Sequence, residues 1–126
     1  MGVGNNVIYE LSRKLAIRII KLYGFLTIER HEYVMAKQIY RSGTSIGANI
    51  AESRFAQSHN DYVSKLSIAL KEASETQYWL ELLNDVQLIT SEQYESLNND
   101  VKTIIGTLVK IIKKLKQQDQ DNTAIK

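Results

Sequence analysis

The chain contains no proline in its 126 residues, and that constrains its fold more than any other feature. All-β folds and crossover-rich α/β folds use proline in turns and edge strands, and proline breaks helix interiors. Its absence favours long, uninterrupted helices. Hydrophobic spacing agrees. Ile8, Leu11, Leu15, Ile19, Leu22 and Leu26 recur at steps of three and four, the period of one helix face. Met35, Ile39, Gly43, Ile46 and Ile50 do the same in a second segment. Tyr62, Leu66, Ala69, Ala73, Thr76, Leu80 and Leu83 alternate four and three like a heptad seam. Tyr94, Leu97, Val101, Ile104, Leu108, Ile111 and Leu115 repeat the pattern.

These stripes predict helices over about 6–26, 31–54, 58–86 and 91–117. Asn5 or Asn6 is the expected first cap, Ser58 with Asp61 opens the third helix, and Thr90 with Gln93 makes a capping box for the fourth. The polar tail from Gln117 to residue 126 is expected to fray. Short connections make the whole chain, 1–126, one all-α domain: an antiparallel up-down four-helix bundle.

Most chemistry is excluded by what is missing. With no cysteine there are no disulfides, thiolate metal sites or cysteine nucleophile. A carboxylate-bridged metal in a bundle needs Glu three residues before His, but Ile28 precedes His31 and Ala56 precedes His59. Gly43-Thr-Ser-Ile-Gly47 reads as G-x-S-x-G, yet a nucleophile elbow requires a strand entering a sharp turn. Helical spacing runs straight through this segment. The expectation is therefore no metal, no cofactor, no catalytic residue and no enzyme. Arg18 and Lys21 interrupt the most apolar segment, so no membrane span of ~18 residues is expected. The opening Met-Gly-Val-Gly-Asn-Asn has no basic region followed by an apolar core. A cytoplasmic protein is expected.

What remains points to surfaces. Gly43 and Gly47 lie one turn apart, and each costs about 1 kcal/mol relative to alanine inside a helix. Close approach of another helix offsets that cost. Arg41, Ser45, Asn49 and Glu52 form a polar line on the same helix, either a hydrogen-bonded seam or a recognition and inter-subunit strip. Charge is segregated along the chain. Residues 1–57 carry eight Lys/Arg and four Asp/Glu, residues 58–100 two and eight, and residues 101–126 six and two. Arg13, Lys14, Arg18 and Lys21 gather on the first helix, and Lys102, Lys110, Lys113 and Lys114, with Lys116 nearby, on the fourth. Such stripes read as solvated faces or as a phosphate-binding surface. Trp79, Leu82 and Val86 widen the apolar arc of the third helix, which implies contacts beyond one bundle and hence a homo-oligomer.

Two stretches carry a family resemblance. Gln38-Ile-Tyr-Arg-Ser-Gly-Thr-Ser-Ile-Gly-Ala-Asn-Ile-Ala-Glu52 and Asp61-Tyr-Val-Ser-Lys-Leu-Ser-Ile-Ala-Leu-Lys-Glu-Ala-Ser-Glu-Thr-Gln-Tyr-Trp-Leu80 resemble the 23S ribosomal RNA intervening-sequence proteins. Their relatives include the accessory variability determinant of diversity-generating retroelements. The likeness spans about residues 6–115, although many members carry Gly-Ser where this chain has Glu72-Ala73. It implies a homopentamer of bundles around an axis and no catalytic activity. For the retroelement branch it implies binding to a reverse transcriptase and to structured RNA or DNA. The expected function is a non-enzymatic nucleic-acid-binding adaptor. A purely structural or protein-interaction bundle is the alternative.

Overall fold

The computed structural model describes residues 3–125, with side chains over 6–121. Four helices follow one another: α1 (Val3–Ile28), α2 (Val34–Ser53), α3 (His59–Asp85) and α4 (Ser91–Ile125). Each packs on its chain neighbours, α4 closes back onto α1, and the backbones of the diagonal pairs stay apart among the described residues. This is the four-helix arrangement that the apolar stripes require.

The core follows the expected stripes with three one-position shifts: Ser12 is buried in place of Leu11, Ala36 in place of Met35 and Ile112 in place of Ile111. Ile8, Leu15, Ile19 and Leu26 are fully buried from α1, Ile39, Ile46 and Ile50 from α2, and Leu66, Leu80 and Leu83 from α3. In α4 the buried C-terminal residue is Ile112, whereas Ile111 is only partly covered. A straight helix drifts relative to a strict heptad, so the seam moves one position late in the run. Buried hydroxyls are satisfied locally or across helices. Thr76 Oγ1 donates to Ser42 Oγ at 2.9 Å between α3 and α2, and Ser53 Oγ donates to the Ile50 carbonyl at 2.6 Å.

The helix ends correct several expected boundaries. Helix α1 begins at Val3, so Asn5 and Asn6 lie inside it and do not cap it. Helix α4 continues to Ile125, past the expected end near 117: the segment after Gln117 holds no glycine or proline to stop it. Helix α2 starts at Val34, not His31, because His31 adopts a left-handed φ of 54° and the Glu32 carboxylate accepts the Met35 N–H at 2.6 Å. Ser58 caps α3 as expected, accepting from Asp61 N at 3.0 Å. The Thr90–Gln93 box closes reciprocally at 2.8 and 3.1 Å.

Candidate nucleic-acid interface and the α2 motif

The small and polar residues of α2 divide between two helices. Gly43 and Gly47 face α1. A Cβ on Gly43 would lie 2.8 Å from Ile19 Cγ1, and one on Gly47 would lie 3.2 Å from Ser12 Oγ. The polar line faces α3. Ser45 Oγ donates to the Arg41 carbonyl at 2.6 Å and Asn49 Nδ2 to the Ser45 carbonyl at 2.8 Å, so both side chains are spent on their own helix. The charged ends reach across. Arg41 forms ion pairs with Glu72, at 3.2 Å, and with Glu75, while Glu52 pairs with Lys65 at 3.0 Å. Trp79 Nε1 donates to the same Glu75 carboxylate at 3.1 Å. The Trp79 indole and the Arg41 guanidinium hold the Glu75 carboxyl below its ordinary range, against burial that pushes it up. Arg41, Glu75 and Trp79 thus form one clasp between α2 and α3. Ser45 is a helical residue with its hydroxyl engaged, and no group of His, Cys, Asp and Glu suited to a metal occurs among the described residues.

The α1 basic stripe is broken. Arg18 pairs with Asp100 at 2.7 Å and donates to Ser96 Oγ at 2.8 Å, which ties α1 to α4. Lys14 and Lys21 are exposed on either side of it, Lys21 lining a groove with Leu22, Phe25, Gln93 and Leu97. Arg13 belongs elsewhere. Its guanidinium lies 6.0 Å from the centre of the Tyr9 ring, and that of Arg54 lies 3.5 Å from the same ring. On α4, Lys110, Lys113 and Lys114 are all exposed, with Lys113 and Lys116 beside Leu70 of α3.

Folding converts charge along the chain into charge along the bundle. Arg18–Asp100, Ser42–Thr76 and Gln77–Asn98 mark one cross-section, since antiparallel helices place these partners at the same height. Toward the 29–33 and 86–90 connections, residues 19–40 and 77–97 carry three Lys/Arg and six Asp/Glu. Burial pushes the Tyr94 phenol up there, and nearby Glu81, Asp85 and Glu95 push it the same way. Toward the α1 start and the 54–58 connection, residues 3–17, 43–71 and 101–121 carry ten Lys/Arg and five Asp/Glu. One end is basic and the other acidic.

The basic end also holds residues that sequence reading passed over. Phe55 stands 84% exposed in the α2–α3 connection, next to Arg54. A sequence signal existed in the Arg54-Phe55 pair, but the Arg54–Tyr9 contact joins residues too distant in the chain to be read from spacing.

The helix-lengthwise glycine packing, the α2–α3 clasp and the four-helix closure define a protein built of surfaces and helix contacts. The family model for 23S rRNA-intervening sequence proteins matches residues 4–110, and the chain belongs to that family. It is similar to a solved structure from Bacteroides thetaiotaomicron, described as a protein of unknown function from the S23 ribosomal protein family. The two are 57% identical with a TM-score of 0.87, over 88% of this chain and 99% of the other. No curated protein matches the chain. No helix among the described residues is long and apolar enough to cross a membrane.

Proposed function

We propose that the protein is a non-enzymatic cytoplasmic adaptor that binds structured RNA or DNA through the basic end of its bundle. The axial separation of charge carries this reading. Lys110, Lys113 and Lys114 stand exposed on that end, with Lys14 on the neighbouring helix. Side chains on the outside of helices reach phosphates, and nothing here places a helix for reading base edges, so binding is independent of sequence. Arg18 serves the fold in this reading, and Lys21 lies in the acidic half.

The adaptor works as a homo-oligomer, a pentamer by the family likeness. Ile17, Ile20 and Tyr23 of α1 with Tyr40 of α2 leave apolar surface on one side, and Ile68 and Tyr78 of α3 leave it on another. Two different sticky faces suit a cyclic, head-to-tail ring. The likeness to retroelement accessory proteins adds a polymerase-like protein partner, such as a reverse transcriptase, to the proposal.

Gel-shift titration against an RNA hairpin and a DNA duplex tests the nucleic-acid reading. Affinity is expected to fall with salt, with log K against log [salt] sloping by about −0.9 per phosphate contacted on a duplex. Replacing Lys110, Lys113 and Lys114 with Gln should flatten that slope, while Lys21→Gln should leave it unchanged. Absence of any shift at low salt would leave the alternative, a bundle whose charges serve protein contacts.

A further inference from the structure

The corner where α1 begins and α2 ends concentrates two cations and two aromatic rings. The Arg54 guanidinium carbon sits 3.5 Å from the centre of the Tyr9 ring, close enough to stack, and Arg13 approaches the same ring at 6.0 Å. Two guanidinium groups within reach of one ring gather positive charge at this corner, which an anion would offset. The protein's own carboxylates do not provide it. Neither arginine is in an ion pair among the described residues, and the nearby Glu52 is already taken by Lys65 at 3.0 Å. Immediately after Arg54 comes Phe55, the most exposed large hydrophobic side chain described, at 84%. It follows the last turn of α2, where a polar residue would cost nothing. Its ring is open to solvent, and the residue before it, Arg54, is a cation in no ion pair among the described residues.

We propose that Arg13, Arg54 and Phe55 form a site for an unpaired nucleotide, the arginines taking its phosphate and Phe55 stacking on its base. Tyr9 packs against the Arg54 guanidinium, whose N–H groups are in no ion pair among the described residues and suit a bidentate phosphate contact. Phe55 supplies a π face that any base can use, which makes the site tolerant of sequence. The site rests on the nucleic-acid reading above and refines it. The lysines of α4 hold duplex phosphates at the same end of the bundle, and this corner captures a single-stranded end or loop. A charged peptide is a poorer fit, because an acidic peptide satisfies the arginines and leaves the ring exposed.

The test uses fluorescence anisotropy of the whole protein with three labelled probes: a short oligouridine, an abasic strand of equal length and a blunt duplex. Phe55→Ala should weaken oligouridine binding by roughly five- to a hundredfold, the worth of one base–aromatic stack. It should leave the abasic strand and duplex unchanged, and Phe55→Tyr should restore oligouridine affinity. Arg13→Gln with Arg54→Gln should weaken both single strands and flatten their salt slope by about 0.7 for each phosphate no longer held. Melting curves establish that each variant is folded, and Phe55 is exposed enough that its replacement does not touch the core. Oligouridine binding indifferent to Phe55→Ala overturns this site while leaving duplex binding by the lysines intact. So does a drop in oligomer mass with Phe55→Ala, which assigns the ring to a subunit contact. Failure of the unaltered protein to bind any probe at low salt overturns the site and the nucleic-acid reading together.

Discussion

Gly43 and Gly47 share a motif but not a tolerance for side chains. An alanine at 43 drives its Cβ to 2.8 and 2.9 Å from the two Cγ atoms of Ile19, a β-branched residue fixed in the core. Overpacking of that kind costs about 1–3 kcal/mol, more than the gain of about 1 kcal/mol in helix propensity. Gly43→Ala should therefore lower stability in urea unfolding. At 47 the nearest atom is the Ser12 hydroxyl at 3.2 Å, which needs to give only slightly. Gly47→Ala should be near neutral, whereas Gly47→Leu should disrupt the α1–α2 contact. Gly24 and Gly106 meet nothing within 4 Å, so alanine there should stabilise by about 0.5–1 kcal/mol. The paired spacing of 43 and 47 was legible as close packing from the sequence. The difference between them was not, because it depends on which α1 side chain lies opposite. The same limit explains Arg18, which read as one of a row of free cations. Its partner Asp100 is brought alongside only by closure of α4 onto α1.

Helix starts whose partners lie within three residues were readable, as at Ser58–Asp61 and Thr90–Gln93. Ends were less so. Helix α3 stops in a Schellman arrangement: Leu88 N donates to the Leu83 carbonyl at 2.9 Å and Gln87 N to that of Asn84 at 3.1 Å. The left-handed position is filled by Gln87, with φ 61°, where glycine is the usual residue and the only sequence cue. Gln87→Gly should raise stability by about 1 kcal/mol, read as a higher melting temperature. The α2–α3 clasp makes a pH prediction. The Glu75 carboxyl titrates below its ordinary value in the folded state, chiefly through the Trp79 N–H and then Arg41. Its contribution is present above the unfolded pKa of about 4.3 and is lost as pH falls through the folded value. With the carboxylate 36% exposed, the effect is under about 1 kcal/mol. Glu75→Gln should lower stability near neutral pH and make its decline into acid shallower, as measured by urea unfolding across that range.

At the scale of the whole molecule, the proposed ring demands that two unlike faces of the bundle meet. Ile20 is 47% exposed on α1 and Tyr78 is 53% exposed on α3, and these helices lie diagonally across the bundle. The sequence marks an apolar arc on α3 at Trp79, Leu82 and Val86, but Trp79 is drawn into the α2–α3 clasp, so the helix was legible and the exposed Ile68 and Tyr78 were not. The α1 face was not, because Ile17 and Ile20 sit among core residues in a segment that is apolar nearly throughout. If the interface is head-to-tail, one charge on either face stops the ring, since every subunit uses both faces. Ile20→Lys and Tyr78→Lys should each reduce the particle to the 14.4 kDa subunit in light scattering. Mixing the two variants supplies the sharper test. Each keeps one working face, so an equimolar mixture should form a one-to-one dimer and grow no further. An interface of two like faces gives a different result: the variant altered away from it assembles alone, and mixing adds nothing. A single-subunit mass for the unaltered protein at micromolar concentration would remove the ring, and both exposed apolar faces would then be free for a different protein.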